Sequence, residues 1–496
     1  MTTTGQDTSS RSLIGGQWID GSGETMIVRS AWSGRTVAEM SACTAADVRR
    51  AVEAAKAAQP AWAALALVER VDLLRELHRA IVDNAEEIAQ RITLETGKTI
   101  NETREELAEY SAPAYQKAAE EVLRHRGMSL PSTQERSNNK RLVLTHRPVG
   151  VVAVISPYNF PTDIASIGIA HAIAAGNTVV WKPSEWAPTS CAMLAAVFER
   201  VPIPPGILNL VQGGGETGAA LVADPGVDAV FFTGSTATGE KIAREAGLKK
   251  TLLELGGDGP QIVLADADLD AAVEGAVIGC FYLAGQVCTS AERILVDDQV
   301  HDEFVNRLKA RVAGLKVGDP FDEATEMGPL CNENTLRRIK EHVEDACARG
   351  AELTQFGEED GLFYPPSVLT GVTPEMMIAR HETFGPLAPI IKISGADEAI
   401  AIANSTDLAL NASVYTSDLA TAWRVGEALH HGTVNINEST NYWDQLAPFG
   451  GAKSSGTGRE LSQWFLDTFT EPKLLNFDLN DKPKGDRRVM REMDES

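Results

Sequence analysis

The 496-residue chain lacks any run of about 18 consecutive apolar residues, so no transmembrane helix is expected. Residues 1–10 are polar and lack the basic start and apolar stretch of a secretory signal. A cytoplasmic location follows by default. Positive charge is scarce, with 45 Lys and Arg against 69 Asp and Glu and a formal net charge of −24. That argues against nucleic acid, whose binding depends on Lys and Arg displacing counterions, and against an anionic membrane surface. It leaves an anionic small substrate open, because a pocket can be locally positive. Cysteine is sparse as well. Cys43, Cys191, Cys280, Cys288, Cys331 and Cys347 form no Cys-x-x-Cys pair, which argues against a zinc or thioredoxin-like site; no metal is expected. Six in so long a chain make no disulfide framework, and an inert buried thiol is the default for each. No internal repeat or low-complexity block is found. What remains is an ordinary globular composition, 43% hydrophobic and 23% charged, at a length that predicts two or three domains.

Short strands separated by Gly turns are expected over residues 13–40. An Ala-rich amphipathic helix then starts at 44–47, is interrupted by Pro60, and is followed by helical periodicity from 65 to 124. Residues 128–147, with Ser, Pro and Asn ahead of Arg141-Leu142-Val143-Leu144-Thr145-His146, read as an extended excursion. From 148 the chain alternates. Val151-Val152-Ala153-Val154-Ile155 lies in a continuous apolar run of the kind buried on both faces of a parallel sheet. Helices are expected at 161–175, 188–200, 219–223 and 239–246, between strands at 177–182, 207–212 and 229–233. This alternation implies a doubly wound sheet with ligands at the strand C-termini. A second α/β region, with strands at 261–264, 293–296, 388–393 and 433–437, runs to about residue 460. A late strand covers 474–479, and the polar tail from 480 is expected to be disordered or draped on a partner.

Several local patterns carry chemistry. Cys288, in Gly285-Gln286-Val287-Cys288-Thr289, offers a thiolate that can attack a carbonyl carbon and hold it covalently. Glu254, in Glu254-Leu255-Gly256-Gly257, offers a base that can take a proton from water and cleave the resulting thioester. Asn159 lies between a strand and a helix, where its amide can donate to an oxyanion or simply cap the helix. Phe231-Phe232-Thr233-Gly234-Ser235-Thr236-Ala237-Thr238-Gly239 follows a strand and opens a helix, which suits a pyrophosphate. It is neither the Gly-x-Gly-x-x-Gly fingerprint nor a P-loop, since Glu240 stands where the P-loop has Lys. Lys182 and Glu185, three residues apart at a strand end, can both reach one ribose or can form a plain surface ion pair. Glu382-Thr383-Phe384-Gly385-Pro386, on its own, is only a turn.

In their order along nearly the whole chain, these motifs resemble the signature of the NAD(P)-dependent aldehyde dehydrogenases of the non-acylating type. Pro448-Phe449-Gly450-Gly451 and Ser455-Gly456-Thr457-Gly458-Arg459-Glu460 belong to the same resemblance. It implies an α/β fold with three parts: a Rossmann-type cofactor domain (1–127 and 148–255), an α/β catalytic domain (256–462), and a small β oligomerisation element with the tail (128–147 and 463–496). A homodimer or homotetramer is implied. The resemblance makes Cys288 the nucleophile, Glu254 the base, and Asn159 with the Cys288 N–H the oxyanion donors. It sets Ile155, Ser156, Pro157, Tyr158, Gly215, Phe232, Gly234, Ser235, Leu255 and Gly256 against the cofactor. Lys182 and Glu185 fall to the adenosine ribose, Glu382 to the nicotinamide ribose and Phe384 to nicotinamide packing. A carboxylate at 185 would repel a 2′-phosphate, favouring NAD while leaving NADP possible.

Three positions depart from the pattern. Asp258-Gly259 replaces the usual Lys-Asn and is expected to loosen that turn. Gly168 stands where a Lys often serves a proton relay, with His171 shortly after, so that relay is absent or rerouted. Asp163 brings a carboxylate towards the substrate channel. The nearest rival is a CoA-acylating semialdehyde dehydrogenase, which typically lacks the base that Glu254 supplies. The rival from another class, a non-catalytic binding protein, predicts a lost nucleophile or base, and both are present. Residues 437–444 are expected at the substrate mouth. With Tyr158 they lean towards the branch of lactaldehyde, semialdehyde and non-phosphorylating glyceraldehyde-3-phosphate enzymes, without a clear anion clamp.

Overall fold

The computed structural model describes residues 10–133 and 139–479. The expectation for the polar tail from residue 480 lies outside the described residues. The first sheet has eight strands, in the order Gln17–Ile19, Ser12–Ile14, Leu208–Leu210, Thr178–Lys182, Val151–Ile155, Ala229–Thr233, Lys250–Glu254, Gly456–Thr457. The five from Leu208–Leu210 to Lys250–Glu254 run parallel. Every residue of the three innermost strands is buried. Their side chains alternate between two cores: Val152 and Val154 pack with the helix Asp163–Ala174, and Val151, Ala153 and Ile155 with the helix Ala45–Ala64. This is why the apolar runs are unbroken. The chain leaves Val151–Ile155 first towards Thr178–Lys182 and later returns on the other side at Ala229–Thr233. The crevice at that reversal collects the strand C-termini Ile155, Lys182, Thr233 and Glu254.

A second sheet of seven strands runs Glu352–Gln355, Ser367–Thr370, Leu387–Ile393, Arg293–Asp297, Pro260–Val263, Asn411–Tyr415, Thr433–Ile436. It is parallel except at its first edge strand. A third sheet joins the 128–147 excursion to the C-terminal strand: Thr470–Asp478 pairs antiparallel with Lys140–Pro148, which pairs with Met128–Leu130. Among the described residues no helix is long and apolar enough to cross a membrane.

One expectation fails locally. Pro60 does not interrupt its helix, which runs through to Ala64. Lys56, whose carbonyl loses its intrahelical bond to Pro60, is exposed to water, and Trp62 pins the last turn by donating to Ile173 O at 2.9 Å. The run from 65 to 124 is four α-helices with a π turn, Glu106–Ser111, inserted before the last.

Candidate active site

The helix Leu269–Phe281 ends in a coil where Leu283 and Ala284 adopt left-handed φ of 53° and 52°. Such strain costs about 1–3 kcal/mol per residue and persists only where surrounding contacts fix it. Leu283 N–H donates to Glu102 Oε1 at 2.7 Å, Gln286 Nε2 to Leu283 O at 3.1 Å, and Ser290 Oγ to Gly285 O at 3.0 Å. The coil presents Cys288 half-buried, whereas Cys43, Cys191, Cys280 and Cys331 are buried and Cys347 is exposed. Burial pushes the Cys288 thiol up, and the carboxyls of Glu382, Glu460 and Glu254 push it further.

Glu254 ends the strand Lys250–Glu254 and is buried. Neither of its oxygens has a hydrogen-bond partner, the Gly451 N–H exerting only a weak pull. Burial, then Glu460, raises its pKa well above the carboxylate range, and Glu460 is itself pushed up to about 8 by burial. The turn after Glu254 touches the nucleophile loop. A Cβ on Gly257 would lie 2.2 Å from Cys288 O, so only glycine lets the two backbones close.

Asn159 is buried, and its Nδ2 donates to Gln286 O at 2.9 Å. An amide has two N–H bonds, so one remains for an oxygen beside Cys288. Behind Asn159 lies an ion pair that sequence reasoning missed. Lys98 Nζ donates to Glu106 Oε2 at 2.8 Å and to Asn159 O at 3.1 Å, with both charged side chains fully buried. Glu106 Oε1 also accepts from Thr162 N and Oγ1 and from Asp163 N, at 2.7–3.0 Å. Only the π turn hints at this in the backbone, and helical periodicity conceals it. Glu106→Leu, which leaves Lys98 buried and unpaired, is expected to cost about 3–5 kcal/mol. Lys98→Met is expected to cost less, because Glu106 keeps three donors; chemical denaturation of both variants checks the order.

A cleft of about 1060 Å³ opens at the crevice of the first sheet and reaches Cys288 and Asn159. Its walls include Ile155, Ser156, Pro157, Tyr158, Lys182, Glu185, Gly215, Phe232, Gly234, Ser235, Leu255, Gly256, Glu382 and Phe384, every residue expected at the cofactor. The helices Gly215–Ala223 and Thr236–Ala246 begin on it, offering free backbone N–H groups to a pyrophosphate. Lys182 Nζ stands 3.3 Å from Glu185 Oε2, and burial lowers the Lys182 ammonium's pKa against the opposing pull of Glu185. Glu382 accepts from Gly257 N at 3.1 Å and is pushed up to about 7, chiefly by burial. Phe384, at φ 62°, is more than a turn residue. Its N–H donates to buried Glu292 at 2.7 Å, its ring meets Tyr158 edge-on at 6.2 Å, and Arg338 lies over it. Glu292 and Arg338 carry no local sequence signal. They become visible only when the second sheet is assembled.

The departures resolve differently. Asp258 does not loosen its turn. Buried Arg293 donates to Asp258 Oδ2 at 2.7 Å and Thr406 Oγ1 donates to the same oxygen. Burial alone would raise the carboxyl, yet Arg293, His431 and Thr406 bring it below its ordinary value. At Gly168 a Cβ would come within 2.5 Å of the Phe231 ring, so aromatic packing fills the place of the usual Lys. His171 does not substitute. Its Nδ1 donates to Ile167 O at 2.9 Å, and burial pushes it down to about 4, so it stays neutral. Among the described residues His125, His146 and Asp467 bring potential metal-binding atoms within 4.8 Å, away from this site.

The model of the aldehyde dehydrogenase family matches residues 18–475. A glutarate-semialdehyde dehydrogenase of Pseudomonas aeruginosa is 38% identical over 472 residues, covering 94% of this chain and 97% of the relative. An NADP-dependent succinate-semialdehyde dehydrogenase of Escherichia coli K12 is 38% identical with the same coverage. Among solved structures, a betaine aldehyde dehydrogenase of Staphylococcus aureus in complex with NAD+ superposes with a TM-score of 0.92 at 32% identity, covering 96% of this chain and 99% of that one.

Proposed function

This chain belongs to the aldehyde dehydrogenase family, and we propose how its own side chains divide the NAD(P)-dependent oxidation of an aldehyde to its carboxylic acid. The observation that carries the assignment is the single cleft joining Lys182 and Glu185 at one end to the half-buried Cys288 thiol at the other, with the base candidate Glu254 one short turn from that thiol. Two helix N-termini and an aromatic stop at Phe384 suit a dinucleotide. When bound, it supplies the hydride acceptor. Cys288 loses its proton and its sulfur adds to the aldehyde carbon, moving the carbonyl electron pair onto oxygen. The free Asn159 N–H and the Cys288 N–H donate to that oxygen. Once the carbon is oxidised to the thioester, Glu254 takes a proton from water, whose oxygen adds to the carbon. The C–S bond breaks and the acid leaves. An aldehyde, water and oxidised dinucleotide thus become a carboxylate, reduced dinucleotide and two protons.

Retention of a buried base beside the thiol favours water over CoA as acyl acceptor. Reduced cofactor should therefore form from aldehydes without CoA; strict dependence on CoA would reverse this choice. We assign subunit contact to the three-stranded sheet, whose Met128, Leu130, Leu474 and Phe477 are exposed apolar residues. Cofactor choice falls to Glu185. Its carboxylate, one-third exposed beside Lys182, would oppose a 2′-phosphate. NAD is expected to be preferred in kcat/KM, and Glu185→Ser to narrow the NAD/NADP ratio by about tenfold. A preference for NADP that the substitution leaves unchanged would show that Glu185 does not set the choice.

A further inference from the structure

Outside the cofactor cleft, three separate elements bring metal-ligating side chains together. His125 caps the C-terminus of the helix Ala112–Arg124, His146 lies in the strand Lys140–Pro148, and Asp467 lies in the helix Ser462–Thr468. His125 Nε2 stands 2.8 Å from Asp467 Oδ1, across 342 positions of sequence. The two imidazole rings have centroids 4.1 Å apart and are tilted by 53°. One ligand atom from each residue falls within 4.8 Å of the other two. Both histidines are half-buried and Asp467 is exposed, so the cluster has packed walls and a way in from water. Sequence spacing gives no sign of it, because local metal motifs place their ligands within a few positions of one another.

Two imidazoles and a carboxylate make a three-ligand donor set that suits zinc and its neighbours in the first transition row. Zinc binds such atoms at about 2.0–2.2 Å, which sets tetrahedral donors about 3.3 Å apart. The His125–Asp467 edge is already that short, and rotation of the exposed Asp467 side chain and of the two rings can close the rest. Without an ion the two rings face each other, and only His125 has the carboxylate; a cation among the three gives both rings an electron-pair acceptor. Burial, then His125, lowers the His146 pKa, with Lys250 adding to this and Asp467 opposing it, so His146 is in its neutral, ligating form at pH 7. Lys250, the cation that acts on the cluster, is itself engaged by Glu471 at 3.2 Å and by Thr470 O at 2.6 Å. Thr470 Oγ1, 3.5 Å from His146 Nδ1, borders that ring and can hold its orientation.

We infer that His125, His146 and Asp467 form a site for one zinc-class divalent metal ion, with water completing the coordination. Its place in the fold makes it a clamp. Thr470 pairs with Pro148, and Val149 N–H donates to Phe469 O at 3.4 Å, so His146 and Asp467 stand where the two chains enter the three-stranded sheet. The ion ties that entry to the end of the helix Ala112–Arg124. It also braces the helix Ser462–Thr468, which the chain reaches from Glu460 through Leu461 and Ser462 at left-handed φ of 63° and 52°. The ion takes no part in the oxidation at Cys288, so the inference does not depend on that reading.

The test is calorimetric titration of the metal-free full chain with zinc chloride. About one equivalent is expected to bind per chain, with a dissociation constant in the micromolar range or tighter. His125→Ala and His146→Ala should each weaken binding by about 10–100-fold or more, whereas Cys288→Ser should leave it intact. Cobalt(II) in place of zinc should give the visible bands of a nitrogen–oxygen site without thiolate charge-transfer absorption. Zinc should raise the melting temperature of the wild type and not that of His146→Ala. No binding at about 100 μM zinc, or binding that survives both histidine variants, overturns the site. Loss of binding in Cys288→Ser, or a thiolate band with cobalt, would place the ion on the nucleophile instead and overturns it equally. Binding at the histidines with no rise in melting temperature overturns the clamp. If the histidine variants do not fold, the cobalt spectrum and the Cys288→Ser titration decide.

Discussion

Replacing Cys288 by serine is expected to lower aldehyde turnover by a factor on the order of 10³ or more while leaving folding and dinucleotide binding intact. The hydroxyl is close in size to the thiol, so the strained coil from Leu283 to Gly285 keeps its hydrogen bonds to Glu102, Gln286 and Ser290. What is lost is nucleophilicity, since an unactivated hydroxyl at neutral pH is a far poorer attacking group. Reduced-cofactor absorbance gives the rate, and cofactor titration with thermal melting gives the controls. Cys347→Ser, at the exposed thiol, should retain wild-type activity, and the four buried thiols should resist alkylation in the folded enzyme. Near-wild-type turnover by Cys288→Ser would remove the assignment. A pH profile adds a second reading. Burial and three nearby carboxyls raise the Cys288 thiol, so its thiolate fraction below that point climbs about tenfold per pH unit, and kcat/KM should rise towards alkaline pH while attack limits it.

The sequence made the first sheet and its crevice legible because strands such as Val151–Ile155 and Ala229–Thr233 are buried on both faces and read as unbroken apolar runs. The second sheet was less visible. Asn411–Tyr415 is fully buried yet carries Asn411 and Ser413, whose polarity hides it; Asn411 is there because its Nδ2 donates to Thr440 O. The motif residues Cys288, Glu254 and Asn159 were legible as chemistry. The residues that hold them were not. Lys98, Glu106 and Glu102 sit inside helical periodicity, and their value lies in partners tens to hundreds of positions away, such as Asn159, Thr162 and Leu283. Asp258 shows the same limit in reverse. Its departure suggested a looser turn, and only the assembled sheet supplies Arg293 to fix it. Asp163 was legible as an anomaly. That its Oδ1 finds no hydrogen-bond partner was not.

Glu254→Gln is expected to separate the two halves of the reaction. The amide cannot take a proton from water, so the first turnover should proceed to the thioester and stop. Rapid mixing should then show a burst of reduced cofactor approaching one per active site, followed by a steady state about 10²–10⁴-fold slower than wild type. Deacylation in the wild type should quicken with pH, because burial and Glu460 hold Glu254 protonated well above the ordinary carboxylate range. The same burial makes a stability prediction of opposite cost. Glu254 has a folded-state pKa above its unfolded value, so its contribution to stability is fully present below about pH 4.3 and is lost as pH rises towards the folded value. The glutamine variant has no charge to bury, so its melting temperature should fall less than that of wild type between acid and alkaline pH and should exceed it at the alkaline end. Slow formation of reduced cofactor with no burst would place Glu254 ahead of oxidation, in deprotonating Cys288, and would overturn its role in deacylation. A burst without the change in melting profile would keep the role in deacylation but show that water reaches the carboxyl in the folded enzyme.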